Sequence, residues 1–326
     1  VASTSSPDGG VGAAATTSDG ARIRWSAIQV ARNDGVELAY QVAGPIDGTP
    51  LLLVAGLGCQ MLIWHDGLCR ELLARGFRVA RFDNRDVGLS THLDGHGWVS
   101  RRALLIRPTA CASYRLEDMA ADALAVLDAL GWQAAHVLGS SLGGAIAQLL
   151  AIVHGGRVAS LTSVMSTPSL QVGRGTLRAL RELLRPPPRS GEEAERRIVQ
   201  LYRVIGSPGY PLDDAWLREV AHRSWWRAGD AGGTSRQLAA LLASGDRRSA
   251  LAGIDKPVLV VHGALDPVFR PAAAFATAGA IPGARVVVYP GMGHDLPRTI
   301  WPSLADEVAS LARSSTDRPG APAGLA

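Results

Sequence analysis

The stretch Ala135-His136-Val137-Leu138-Gly139-Ser140-Ser141-Leu142-Gly143-Gly144 runs from a short apolar, strand-like segment directly into a G-x-S-x-G pattern, and a helical run begins near Gly143. A sharp strand-to-helix turn holds its central residue in a strained backbone conformation, so the flanking positions must be small for strand and helix to approach. With Gly at 37 of 326 residues, the bare pattern arises by chance roughly 0.3 times in such a chain. Its weight therefore comes from its place. It closes the fifth of eight strand-like runs, at the carboxyl edge where open α/β sheets bind ligands.

Working outward, the other strand candidates are residues 27–32, 37–44, 50–57, 78–84, 160–166, 257–263 and 285–290, with 134–140 as the fifth in chain order. Asn33-Asp34-Gly35 between the first two is a hairpin signal. Later spacings leave room for crossover helices, and Met119, Ala123, Val126, Leu127 and Leu130 predict one over residues 116–130, stopped by Gly131. This alternation predicts an α/β fold, a mostly parallel eight-stranded sheet with helices on both faces. The rhythm breaks over residues 168–236, where Pro186-Pro187-Pro188 and Ser207-Pro208-Gly209-Tyr210-Pro211 divide short helical pieces. That stretch is expected to be an inserted helical cap on a core formed by 21–167 and 237–313, between a disordered head (1–20) and tail (314–326). Arg174, Arg178, Arg181, Arg185 and Arg189 fall along one side of its first expected helix, as on a solvated helix face.

A serine hydroxyl is a poor nucleophile at neutral pH, so Ser141 requires a base and a group to orient that base. His294 in Gly291-Met292-Gly293-His294 directly follows the last strand, and Asp266 in Gly263-Ala264-Leu265-Asp266-Pro267 directly follows the strand before it. The 28 positions between them (294 minus 266) accommodate one helix and one strand. Taken singly, Asp266 reads as a turn former before Pro267 and His294 as a loop histidine. Taken together, each at the end of its own strand, they predict the catalytic set Ser141, Asp266 and His294. Ser140, His262 and Asp295 read as structural neighbours of that set. A tetrahedral intermediate also needs two N–H donors; Leu142, after the nucleophile, and Leu57, after the bend at Gly56, are expected to supply them.

Composition sets the outer limits. Hydrophobic residues at 47% and charged residues at 19% provide for a sizeable core and exclude a disordered or fibrous chain. The net charge is +4, and Lys256 is the lone lysine among 33 basic residues, so nucleic acid is not an expected partner. Three cysteines, Cys59, Cys69 and Cys111, form no disulfide framework, and a cytoplasmic setting is the default. No apolar run reaches the roughly 20 residues of a membrane span. The first twenty residues lack the charged start and apolar stretch of a signal peptide, although the chain begins at Val1 and leaves a processed leader open. Cys59, His65 and Cys69 make no closed ligand set, so no metal is expected.

With these motifs in place, the sequence from about Ile28 to Ala312 resembles the α/β-hydrolase superfamily. The resemblance rests on residues 54–58, Asp83-Asn84-Arg85-Asp86-Val87-Gly88-Leu89-Ser90, residues 139–144, 259–266 and 291–294. Within the superfamily it is similar to actinobacterial carboxylesterases related to aclacinomycin methylesterase. The resemblance implies cofactor-free hydrolysis of carboxylic esters through an acyl-enzyme, and the compact cap of fewer than a hundred residues leads to an expected preference for small uncharged esters of short to medium acyl chain. Perhydrolases, thioesterases and lactonases share the same residues, and a ligand receptor with vestigial turnover is the alternative of another class. Two departures stand out. Ala55-Gly56 replaces the usual His-Gly, removing a hydrogen bond that steadies the oxyanion loop. Arg85-Asp86 replaces Arg-Gly, which puts Asp86 in a left-handed conformation. By position, Gln60, Met61 and Trp64 after the oxyanion loop, and Trp225 and Trp226 in the cap beside Trp216, are expected to contact substrate. Nothing in the sequence fixes the oligomeric state.

Overall fold

A computed structural model describes residues 23–94, 108–228 and 232–316. Eight strands form one sheet: β1 (Gln29–Asn33), β2 (Val36–Ala43), β3 (Thr49–Val54), β4 (Phe77–Phe82), β5 (Ala135–Ser140), β6 (Val158–Val164), β7 (Val258–Gly263) and β8 (Arg285–Tyr289). Their order across the sheet is β1-β2-β4-β3-β5-β6-β7-β8, and β2 alone runs against its neighbours. The hairpin between β1 and β2 turns on Asp34 (φ 44°) and Gly35 (φ 79°), the two positive φ values that a tight two-residue turn needs.

The central strands are buried on both sides, so they read as continuous apolar runs rather than alternating ones. Alternation survives in the side each residue faces. Leu52 and Val54 of β3 pack into one core layer, with helices α2 (Leu116–Ala129) and α3 (Leu142–Val153). Leu51 and Leu53 pack into the other, with α1 (Asp66–Ala74) and Trp301, Leu304 and Val308 at the start of the last helix. The predicted helix over 116–130 is α2, with Met119, Ala123, Val126 and Leu127 buried and Gly131 at φ 68° just beyond its end. Burying each such leucine contributes about 1.5–3 kcal/mol.

Between β6 and β7 the described residues contain helices and no named strand: α4 (Leu177–Leu183), α5 (Gly191–Ile205), α6 (Asp214–Ala228), α7 (Gly233–Ala243) and a short turn of helix at Arg248–Leu251. Helix α7 continues through the expected cap boundary at 236/237, because Arg236 and Gln237 are both buried. The row of five arginines is not one helix face. Arg178 and Arg181 lie on α4, whereas Arg174 forms a β-bridge with Phe269 and Arg185 and Arg189 lie beyond the helix. After α8 (Ala272–Gly279) and β8 comes α9 (Trp301–Thr316), which runs three residues into the expected tail. The expected head, 1–20, and the rest of the tail lie outside the described residues. Among the described residues no helix is long and apolar enough to cross a membrane.

One buried histidine gives the sheet a measurable pH response. His136, on β5, is 1% exposed and its Nδ1 lies 2.7 Å from Ser160 Oγ on β6. Burial depresses its pKa from 6.5 to about 4. Between those values the unfolded chain binds a proton that the folded one refuses, so stability falls as pH drops from 6.5 towards 4. Up to about 3 kcal/mol is expected to be lost. Urea midpoints measured through that range check this, together with an imidazole NMR signal for His136 that stays neutral down to the bottom of it.

Candidate active site

The sheet register brings four loops to one edge. Val54 pairs with Gly139 and Ser140 with Val164, so the chain leaving β3 lies beside the turn leaving β5. On the other side Gly263 pairs with Tyr289, which sets the loops after β7 and β8 together. Ser141 stands on the turn between β5 and α3 with φ 54° and ψ −117°. A non-glycine residue there is strained and must be held from several sides. Its N–H donates to Val164 O at 2.9 Å, and Ser166 Oγ donates to its carbonyl at 2.8 Å. Glycine is required at two neighbours by close approach: a Cβ on Gly143 would strike the Val54 carbonyl, and one on Gly139 would strike that of Gly143.

Three side chains meet in a line. His294 Nε2 lies 3.0 Å from Ser141 Oγ, and His294 Nδ1 lies 2.7 Å from Asp266 Oδ2. Asp266 is buried; its second oxygen accepts from the N–H groups of Val268 (2.7 Å) and Phe269 (3.0 Å). The His294 backbone N–H donates to Ile205 O at 2.7 Å, so the end of α5 helps fix the loop that carries the imidazole. His262 is fully buried, which lowers its pKa, and its Nε2 lies 2.7 Å from Phe269 O and 3.4 Å from Asp266 Oδ2. It braces the carboxylate loop from below. Asp295 bonds Ser207 Oγ, which also accepts from Gly293 N–H at 2.8 Å, and burial pushes the Asp295 carboxyl up. Such an arrangement lets the imidazole take the serine proton while the carboxylate fixes its tautomer.

Leu142 opens α3, so its N–H is among those a helix leaves without an internal partner, at the positive end of the helix dipole. Leu57 follows Gly56, where a Cβ would come into van der Waals contact with Ser141. The next N–H, that of Gly58, is already committed to Gln237 Oε1 at 2.9 Å. A cavity of about 510 Å³ opens over Ser141 and His294, with walls from the loop after β3 and from α5 and α6. Gln60, Trp64 and Trp225 line it, as does Trp216.

Two expected contacts lie elsewhere. Met61 is fully buried in a small cluster with Ala39, Leu62 and Val220, under the cavity wall. Trp226 is 74% exposed and faces the outer surface beside His222, because consecutive helical residues point about 100° apart and Trp225 takes the inward position. Gln60 also contributes less than its position suggests, since its amide is bonded to Ser224 O, Ala228 O and Arg227. The sequence reading missed His65, whose ring is flanked by Trp216 (5.0 Å) and Trp301 (4.5 Å) at the cavity wall. These residues come from three separate elements, and no local pattern joins them. Asp86 has φ 71° as expected and forms a buried pair with Arg236. Among the described residues no cluster of His, Cys, Asp or Glu could hold a metal ion.

The sequence profile of the alpha/beta hydrolase fold matches residues 49–297. The chain belongs to the α/β-hydrolase family. Within it, the chain is 32% identical over 309 residues to rhodomycin D methylesterase DnrP of Streptomyces peucetius, covering 87% of this chain and 97% of that protein. A non-heme haloperoxidase of Rhodococcus erythropolis is 29% identical over 276 residues, covering 82% of this chain and 92% of the relative. Among solved structures, an esterase, RhEst1, from Rhodococcus sp. ECU1013 superposes with a TM-score of 0.65 at 22% identity, over 89% of this chain and 98% of its own. The enol-lactonase of Burkholderia xenovorans LB400 gives 0.62 at 23% identity, over 89% and 100%. At these identities the superpositions speak for the α/β-hydrolase fold alone.

Proposed function

We propose that this α/β-hydrolase is a serine esterase: Ser141 attacks the ester carbonyl, His294 takes its proton and returns it to the leaving alcohol, and Asp266 orients the imidazole. The N–H groups of Leu57 and Leu142 receive the oxyanion, and water then releases the acid by the same route in reverse. The observation that carries this reading is the position of His294, in hydrogen-bond contact with both Ser141 and Asp266 and lining the cavity beside Ser141. Methylesterase relatives matched over nearly their whole length support the same chemistry. Helices α4 to α7 act in it as a cap, and Trp64, Trp216 and Trp225 provide the apolar wall against which an uncharged substrate packs. A cytoplasmic setting belongs to this reading and is supported by three unpaired cysteines.

A cavity of about 510 Å³ lies within the usual range of small-molecule sites. The expected preference is therefore for dissolved, uncharged esters of short to medium acyl chain. A series of aryl esters of increasing acyl length, set beside emulsified long-chain triglyceride, tests it. Saturable turnover that peaks among the shorter chains is expected. A jump in rate at the lipid interface would show that the cap is a lipase lid instead. The haloperoxidase relatives favour a second acceptor for the same acyl-enzyme: hydrogen peroxide in place of water, giving a peracid and free serine. Peracid formation dependent on Ser141 is the measurement for that. No turnover of any simple ester would instead favour a ligand receptor.

A further inference from the structure

The loop that offers the second oxyanion donor has no side chain of its own to brace it. Ala55, Gly56, Leu57 and Gly58 carry no hydrogen-bonding group beyond the backbone. The Cys59 N–H donates to the Gly56 carbonyl at 3.1 Å and closes a four-residue turn whose third residue, Gly58, has φ 67°. The Gly56 carbonyl and the Leu57 N–H belong to one planar trans peptide and point opposite ways, so this bond turns the Leu57 N–H away from Cys59. The Gly58 N–H then faces α7. There Gln237 receives it on Oε1 at 2.9 Å, while its Nε2 donates to the Arg85 carbonyl at 2.8 Å.

Gln237 has no solvent exposure. Both ends of its amide are used, which fixes its rotamer, and its neighbour fixes the helix. Arg236 grips Asp86 in a two-pronged pair, Nη2 to Oδ1 at 2.7 Å and Nε to Oδ2 at 3.0 Å. On the opposite side of the loop Asn84 Nδ2 donates to the Ala55 carbonyl at 3.1 Å. The turn is thus held between a side chain after β4 and a side chain from the helical segment that lies between β6 and β7.

We infer that Gln237 is a positioning residue for the oxyanion hole: by holding the Leu57–Gly58 peptide it aims the Leu57 N–H, so that docking of α7 and assembly of the oxyanion hole are one event. The inference rests on the esterase reading above for its catalytic consequence, but not for the contact itself. A misaimed donor weakens binding of the oxyanion and leaves binding of the uncharged ester unchanged. Its loss is therefore read in kcat and not in KM.

Two variants separate the contacts. Gln237→Met keeps the size and removes both hydrogen bonds; Gln237→Glu keeps an acceptor for Gly58 and removes the donor to Arg85. Gln237→Met is expected to lower kcat on an aryl ester about 10- to 100-fold with KM changed less than about twofold. Affinity for an aryl boronate, whose tetrahedral adduct places an oxygen in the oxyanion hole, should fall by the same factor. Gln237→Glu should keep kcat within about threefold of the parent; should Gln237→Met fail to fold, Gln237→Ala, which also removes the acceptor for Gly58, takes its place with the same expected loss of kcat and boronate affinity. Hydrogen exchange at Gly58, slow in the parent and faster in Gln237→Met, reads the brace without reference to turnover. Unchanged exchange, or a stable Gln237→Met protein with parental kcat and boronate affinity, overturns the inference. A parent that turns over no ester while exchange at Gly58 still depends on Gln237 removes the esterase reading and leaves the brace standing.

Discussion

Ser141→Ala is expected to lower kcat by roughly 10⁴-fold or more while the protein stays folded. Both halves of that expectation come from the surroundings of the residue. Among the described residues Ser141 Oγ bonds His294 Nε2 at 3.0 Å and no other side chain, so its loss removes the nucleophile without stripping a buried partner from the core. The strained backbone, φ 54°, is held by the Val164 carbonyl and by Ser166 Oγ, which act on main-chain atoms that alanine retains. Alanine tolerates that conformation no worse than serine, since each carries one Cβ. Circular dichroism and a thermal midpoint within a few degrees of the parent, with activity near background, are the paired results to look for. Parental turnover in the folded variant would mean that the attacking group is not Ser141.

The second large effect is expected from Asp266→Asn, again roughly 10⁴-fold in kcat. Asp266 Oδ1 accepts two backbone N–H groups, from Val268 and Phe269, and an asparagine oxygen can take over that role. Its NH2 group must then face His294 Nδ1, 2.7 Å away in the parent. Facing a donor, Nδ1 has to be unprotonated, which puts the proton on Nε2 and leaves nothing to accept from Ser141. The lesion is one of tautomer, not of shape. Binding of an unreactive substrate analogue should therefore be nearly unchanged, and a neutral-pH activity above a tenth of the parent's would move the orienting acid elsewhere, to Asp295 first.

How much of this was legible beforehand follows from the range of the interactions involved. The sheet was legible because parallel strands buried on both faces give unbroken apolar runs, and Asp34-Gly35 announced its one hairpin. Ser141, Asp266 and His294 could be named because each directly follows a strand, so that chain order and spacing translate into position at one sheet edge. The cap was not legible in the same way. Whether Trp225 or Trp226 turns inward depends on how α6 packs on the loop after β3, through Gln60 and Arg227. The register of α7 depends on Arg236 and Asp86, 150 positions apart in sequence. Met61 looked available for substrate by its place after the oxyanion loop, but its N–H is held by Asp83 Oδ1 at 2.7 Å and its side chain is drawn under the cavity wall. The brace from Gln237 to Gly58 likewise had no local signal, since a glutamine inside an amphipathic helix reads as surface until its partners are seen.

The most direct test of the account is to trap the acyl-enzyme step itself. The parent protein is treated with a fluorophosphonate at neutral pH, its intact mass is measured, and the modified peptide is mapped. The account predicts a single adduct on Ser141, formed in proportion to the loss of esterase activity and absent from Ser141→Ala. An adduct on any other residue, or labelling that persists in Ser141→Ala at the parental rate, would contradict it.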